Sequence, residues 1–216
     1  MNVYRNPNIG IFLRSNDHYV LVPQGISKNK IKIIKKYLGV SALTTSIGGS
    51  HLIGALTAMN NNAIIVSKLA EEYEIEKIKK QTGLNVIKLE SKFTAIGNLI
   101  AANDNGAIVS TLLTEKNVKQ ISESLQVPVK KMNISSINLS GAIINATNKG
   151  AIVHPGITEK EIEIVSEVLK VNVEPATINS GTPYVSSGII SNSKNILVGN
   201  QTSGPELITL SKAFGI

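Results

Sequence analysis

Apolar and polar positions along the chain recur five times, about 44 residues apart. In each copy a short apolar run ends in valine, at Val22, Val66, Val109, Val153 and Val198. Nine residues later stands another apolar residue: Ile31, Ile75, Val118, Ile162 and Leu207. Twelve later come Ile34, Ile78, Ile121, Val165 and Leu210, and sixteen later Leu38, Thr82, Leu125, Leu169 and Phe214. These offsets describe the buried stripe of an amphipathic helix, interrupted only at Thr82. Twelve residues before the valine lies a glycine in four copies, Gly10, Gly54, Gly97 and Gly141. The fifth copy has Ser186 there and Gly188 two places on. A fixed period of this length marks a repeat architecture whose units are too small to bury a core alone and must share one.

Each copy predicts the same elements. An apolar stretch follows the glycine and runs into a polar cluster, such as Ser15-Asn16-Asp17, Asn60-Asn61-Asn62 or Asn103-Asp104-Asn105-Gly106. Asn, Asp and Gly tolerate the positive φ that tight hairpins demand, so each unit opens with a β-hairpin. In the fifth copy the hairpin is expected to be shorter or shifted. The helix follows, with capping boxes expected at Thr158/Glu161 and Ser203/Glu206 and C-terminal stops at Gly39 and Gly83. A third strand is expected at Ala42–Ile47, Asn85–Glu90, Val129–Ile134 and Val171–Ile178, giving a ββαβ unit. The fifth copy has no such segment after its helix. Val3 lies seven residues before Gly10, as Ile47, Glu90 and Ile134 lie seven before the next repeat. The segment 2–5 is therefore expected to supply the last strand and to close the units into a ring. The expected organisation is one α/β domain, 1–216, with repeats near 8–50, 51–94, 95–138, 139–182 and 183–216.

Composition narrows the chemistry. The chain has no cysteine, which excludes disulfides, thiolate metal sites and thiol catalysis. No apolar run approaches the roughly 20 residues of a membrane span, and the first residues carry no leader pattern. The formal net charge is +7, unevenly spread. Residues 1–108 hold 13 Lys/Arg against 7 Asp/Glu, and the remainder 9 against 8. That asymmetry suggests an anionic neighbour near the first half, or lysines coating solvated helix faces. Basic clusters fall at Lys28–Lys36, Lys77–Lys80 and Lys130-Lys131. Aromatics are few, so any RNA contact is expected through phosphate rather than base stacking.

No catalytic constellation stands out. His18, His51 and His154 lie in different repeats, without metal-ligand spacing. Asp17 and Asp104, the two aspartates, both fall in predicted turns. Gly48-Gly49-Ser50 lacks the Lys of a phosphate-binding loop and reads as a connection between repeats. The repeat glycines are expected where strands converge near an axis, with bare backbone also available to a partner. Asn98 places an amide where the second and fourth copies have Ala55 and Ala142.

A ring of five ββαβ units resembles the pentein, or α/β-propeller, fold. Ala95-Ile96-Gly97-Asn98 followed by Asn103-Asp104, then Val153-His154-Pro155, Val168-Leu169-Lys170-Val171, Gly181-Thr182, and Ser203 with Glu206-Leu207 resemble the translation initiation factor 6 family in its shorter archaeal form. The likeness covers 2–214. It implies a cytoplasmic, monomeric factor without cofactor, metal or catalytic residues. Such a factor binds the intersubunit face of the large ribosomal subunit, at a ribosomal protein near the sarcin–ricin loop, and prevents joining of the small subunit. A part in subunit biogenesis is implied too, and neither membrane nor DNA is an expected partner. The ribosome-binding residues expected are Gly10, Ile11, His51, Ile53, Gly54, Gly97, Asn98 and Tyr184. Gly10 and Gly97-Asn98 match family positions on the ribosome-facing surface; His51, Ile53 and Tyr184 are taken as their neighbours. Two other readings stand beside this one: an RNA-binding scaffold, and a pentein-fold small-molecule hydrolase with its site in the ring's centre. The guanidino-modifying penteins use a cysteine nucleophile that this chain lacks, and a central hydrolase site would need ionisable side chains where the repeat strands carry mainly Ile, Ala and Leu.

Overall fold

The polar clusters turn the chain back on itself, and the five resulting hairpins share one register. A computed structural model describes residues 1–216. The inner strands are β1 (Arg14–Ser15), β4 (Thr57–Met59), β7 (Ile100–Ala102), β10 (Ile144–Ala146) and β13 (Ile189–Ser191). Each pairs antiparallel with a middle strand: β2 (Tyr19–Pro23), β5 (Ala63–Ser67), β8 (Ala107–Val109), β11 (Gly150–Val153) and β14 (Ile196–Val198). The fifth hairpin is neither shorter nor shifted. Ile189 faces Val198 across it, as Ile100 faces Val109 and Ile144 faces Val153. The displaced glycine, not the hairpin, is what differs in that copy.

Five eleven-residue helices follow the middle strands: Lys28–Leu38, Glu72–Thr82, Glu115–Leu125, Glu159–Leu169 and Gly204–Phe214. The residues twelve after each valine are all fully buried, and Leu38, Leu125 and Leu169 are as well. Thr82 stays buried by donating its hydroxyl to Ile78 O at 2.8 Å. Leu207 is the exception to the stripe, 42% exposed. Gly39 and Gly83 end their helices at φ 65° and 71°. Both expected capping boxes form, and Glu71/Glu74 and Thr114/Asn117 form two more. The chain then returns parallel to the middle strand as β3 (Ser41–Thr45), β6 (Asn85–Leu89), β9 (Val129–Lys131) and β12 (Asn172–Pro175).

The units close on themselves. Strands β1, β4, β7, β10 and β13 contact one another in that order, and β13 contacts β1. Five apolar clusters fill the ring, each drawn from two neighbouring repeats. The cluster at the seam joins Ile190 of the fifth repeat to Val20, Ile34 and Leu38 of the first. No repeat therefore owns its core, as the size of the unit requires.

The seam departs from expectation. Residues 2–5 are not a strand, and the fifth sheet has only two. Tyr4 and Arg5 adopt φ 50° and 63°, which ends extension, and Val3 pairs with Asn6 across that turn. This is the repeat-to-repeat connection seen at Ile47–Ser50 and Ile134–Ile137, where Gly48-Gly49 and Ser135-Ser136 also have positive φ. The sheet contact is made by Met1 alone. Its ammonium donates to Val198 O at 2.7 Å and its carbonyl accepts from Asn200 N at 2.7 Å. Met132 N and Ala176 N make the matching bonds to Val109 O and Val153 O, both at 2.9 Å. The N-terminal segment thus takes the expected place, with one sheet residue instead of four.

The third residue of each outer helix fastens the helix to the connection ahead of it. Glu74 accepts from Ser46, Gly48 and Gly49, and Glu206 from Thr177, Ser180 and Gly181. Glu161 accepts from Ser135, while Asn117 donates to Glu90 O. In the first repeat the polarity reverses, and Lys30 donates to Asn2 O and Oδ1 at 3.0 and 2.9 Å. The N–H groups of Gly48-Gly49 are thereby consumed by Glu74 and not left for phosphate.

Candidate functional site

The two ends of the ring differ in chemistry. At the hairpin end, Asp17, Asn61, Asp104, Asn148 and Ser193 occupy equivalent positions and bond to one another around the axis. Asn61 Nδ2 donates to Asp17 at 2.9 Å and to Asp104 at 2.6 Å, and Asn148 Nδ2 donates to Asp104 at 2.6 Å. Ser193 N donates to Asp17 at 2.7 Å, and Asn148 Nδ2 reaches Asp17 at 3.4 Å. Burial pushes the Asp17 carboxyl up, but hydrogen bonds from Ser193 and Asn61 and the nearby His18 outweigh it and hold it below the usual range. Asn60, Asn103 and Asn192 cap the outer-helix carbonyls Leu125 O, Leu169 O and Leu38 O from beneath. The polar clusters are thus mutually satisfied, and this end offers few free groups.

The opposite end carries five short inner helical turns, Ile9–Phe12, Ile53–Leu56, Ile96–Asn98, Ser140–Ile143 and Val185–Gly188. Their glycines answer to a steric demand. A Cβ on Gly54 would strike Gly10 O, one on Gly97 would strike Gly54 O, and one on Gly141 would strike Gly97 O. Gly10 in turn lies against Ser186 O. Successive turns approach backbone to backbone, and only glycine fits. Ser186 is accommodated because its hydroxyl donates to Ile144 O at 2.6 Å.

Of the expected contact residues, Gly10, Ile11, Gly54, Gly97 and Asn98 line one shallow axial funnel, with Ala142 and Ser187. Ile53 is excluded from any contact surface, because it is fully buried in the core between the first two repeats. Its position at the start of an inner turn directs it inward, as for Ile9 and Ile96. His51 and Tyr184 are exposed at the same end but outside the funnel. His51 stacks on Tyr4 at 5.5 Å, and Tyr4 meets Phe12 edge-on at 5.4 Å. His154 accepts from Gly156 N at 2.9 Å, a turn contact.

Asn98 has the most distinctive surroundings. Its side-chain amide makes no hydrogen bond within the chain, whereas Asn16, Asn60, Asn61, Asn103, Asn148 and Asn192 at the hairpin end are engaged. It sits between the funnel and an apolar groove lined by Phe93, Ala95, Leu112 and Leu139. Around the same end Tyr4, Leu52, Leu69, Leu112 and Tyr184 are each 37–45% exposed. Apolar side chains gathered at one end, with a free amide among them, fit a protein-docking surface. Sequence reading missed Tyr4, Leu69 and Leu112, since loop positions follow no buried stripe; the offset of three from Val66 and Val109 is the signal that places the two leucines together. No group of three or more His, Asp or Glu lies together in a metal-binding arrangement. No helix is long and apolar enough to cross a membrane.

Among solved structures, a dimethylarginine dimethylaminohydrolase adduct with S-methyl-L-thiocitrulline is similar at a TM-score of 0.48 and 12% identity, over 77% of this chain and 68% of that one. Among curated proteins, the chain is 47% identical to the translation initiation factor 6 of Cenarchaeum symbiosum and 48% identical to that of Nitrosopumilus maritimus. Both alignments span 213 residues, 99% of this chain and 96% of each relative. The factor of Pyrococcus furiosus is 39% identical over 215 residues, 97% of this chain and 95% of that protein. The eIF-6 family model matches residues 1–213, and with these relatives it shows that the chain belongs to the eIF-6 family.

Proposed function

We propose that this protein is a cytoplasmic translation factor that binds the joining face of the large ribosomal subunit and occludes it against the small subunit. The names of its relatives support a place in translation. The observation that carries the docking mode is the inner-turn end, where the unbonded Asn98 amide borders an apolar groove. A ribosomal protein of the joining face near the sarcin–ricin loop is the partner this surface suits. A surface of ordinary size is enough to block a second partner by overlap, with no chemistry required. Occupancy of the large subunit before joining would also give the factor a part in subunit biogenesis.

A second reading has its own support. The three ion pairs, Lys119–Glu123, Lys131–Glu115 and Lys212–Glu174, all fall beyond residue 114. The lysines of Lys28–Leu38 and Glu72–Thr82 therefore lack carboxylate partners, which favours an RNA-binding scaffold. Affinity for purified large subunits across a salt series separates the two. Docking on protein gives a shallow slope, whereas each neutralised phosphate steepens it by about 0.7–0.9 in log–log form. A steep slope, with naked rRNA bound as tightly as subunits, would replace the first reading by the second.

A further inference from the structure

One charged side chain stands on the ring axis, between the funnel and the cavity beneath it, and lines both. Arg14 points across the axis and donates from Nε to Thr57 O at 2.8 Å and from Nη2 to Gly97 O at 3.1 Å. Both acceptors are neutral carbonyls, and no ion pair includes Arg14. A guanidinium has five N–H donors, so three remain without a partner in the chain. Thr57 Oγ1 is the one buried side-chain polar atom without a partner, so the free N–H groups of Arg14 open onto space. Arg14 borders two such spaces, the funnel and the axial cavity between the inner turns and the hairpin-end girdle, the latter walled by Leu13, Met59, Ile100 and Ile144. Desolvation there lowers the Arg14 pKa to about 10, which leaves it charged at neutral pH.

A second group faces the same cavity. Asn145 is 8% exposed, and its Oδ1 accepts from the Ser191 hydroxyl. That bond fixes the amide so that its nitrogen, which has no partner in the chain, is left to the cavity it lines. The lining contains no carboxylate. The nearest carboxylates, Asp17 and Asp104 of the girdle, are held by Asn61, Asn148 and Ser193, so a cation and an unpaired amide N–H facing one cavity with apolar walls are the elements of an anion site. Charge sets the class. One guanidinium and one neutral amide balance a single negative charge, which favours a monovalent anion over phosphate or sulfate.

We propose that the axial cavity binds one small monovalent anion of chloride size, held between the Arg14 guanidinium and the Asn145 amide. The anion neutralises Arg14 inside the ring and ties the first repeat to the fourth across the axis. Thermal unfolding in potassium chloride and in potassium gluconate at equal ionic strength tests this. Gluconate is too large to enter. At ten times the dissociation constant, chloride raises Tm by about 3–6 °C. Asn145→Asp supplies an internal carboxylate that can still accept from Ser191. This variant is expected to keep in gluconate the Tm that the parent shows in chloride, and to lose chloride dependence. Crystals grown in bromide should show an anomalous peak on the axis beside Arg14. Equal melting of the parent in both salts, an undiminished chloride response in Asn145→Asp, or bromide confined to the outer surface would each overturn the proposal and leave a water-filled cavity.

Discussion

Glu206→Gln isolates the charge that fastens the last helix to its connection. The Glu206 carboxylate accepts from Ser203 N at 2.7 Å, Gly181 N at 2.9 Å, Ser180 N at 3.0 Å and the hydroxyls of Thr177 and Ser203 at 2.8 and 3.0 Å. Burial alone would raise its pKa. The hydrogen bonds outweigh burial and lower it from 4.5 to about 2. That difference corresponds to ~3 kcal/mol at full strength. The side chain is 8% exposed, but Ser180, Gly181 and Gly204 around it are open to solvent, so about half is the realistic share, ~1.5–2 kcal/mol. Glutamine keeps one acceptor but turns an NH₂ toward Gly181 N or toward Ser180 N and Ser203 N. At pH 7 the variant should lose ~2 kcal/mol in denaturant unfolding, or about 4–8 °C in Tm. The folded pKa lies below the unfolded one, so the stabilisation is full above about pH 5 and disappears as the pH falls through about 2. The gap between parent and variant should therefore shrink to less than half by about pH 3. A gap at pH 3 equal to that at pH 7 would mean that shape, not charge, is what Glu206 contributes, and the reasoning would fail.

Three other outcomes are expected. Gly54→Ala drives a Cβ into Gly10 O and should cost about 3 kcal/mol or more; a melting curve like the parent's would show that the inner turns have slack. Removing residues 1–5 takes away fully buried Val3, the Met1 bonds to the fifth repeat and the Lys30–Asn2 tie, ~4 kcal/mol in all. An unchanged denaturation midpoint would count against a seam closed by this segment. Asn98→Arg should release the factor from large subunits at unchanged Tm, since the Asn98 amide bonds to nothing in the chain; loss of folding together with binding would assign Asn98 a structural role.

The ring was legible in the chain because its core is periodic. Ile34, Ile78, Ile121, Val165 and Leu210 keep one spacing and are all fully buried. The capping boxes at Thr158 and Ser203 were readable for the same reason, being local patterns of fixed length. The short inner turns were not foreseen. Three or four residues are too few to show a helical stripe, and their glycines record contact with a neighbouring repeat. The strand assigned to 2–5 shows how a correct period can carry a wrong conformation. Val3 holds the expected place, but positive φ at Tyr4 and Arg5 is set by the turn and leaves no periodic trace. At the inner-turn end, Asn98 stood out as a departure from symmetry, and its amide is unbonded beside the groove. Ile53 did not follow, because one residue of offset moves a side chain from the funnel into the core. Arg14 was invisible beforehand, since nothing local shows that a first-repeat side chain reaches carbonyls of the second and third.

The central claim concerns occlusion of the large subunit, and a joining assay reaches it most directly. Purified large subunits are incubated with the protein, small subunits are added at a magnesium concentration that supports association, and the mixture is sedimented through sucrose. The account predicts that the protein travels with free large subunits and that joined particles decrease as it is added. Joined particles forming undiminished, with the protein absent from the large-subunit peak, would contradict it.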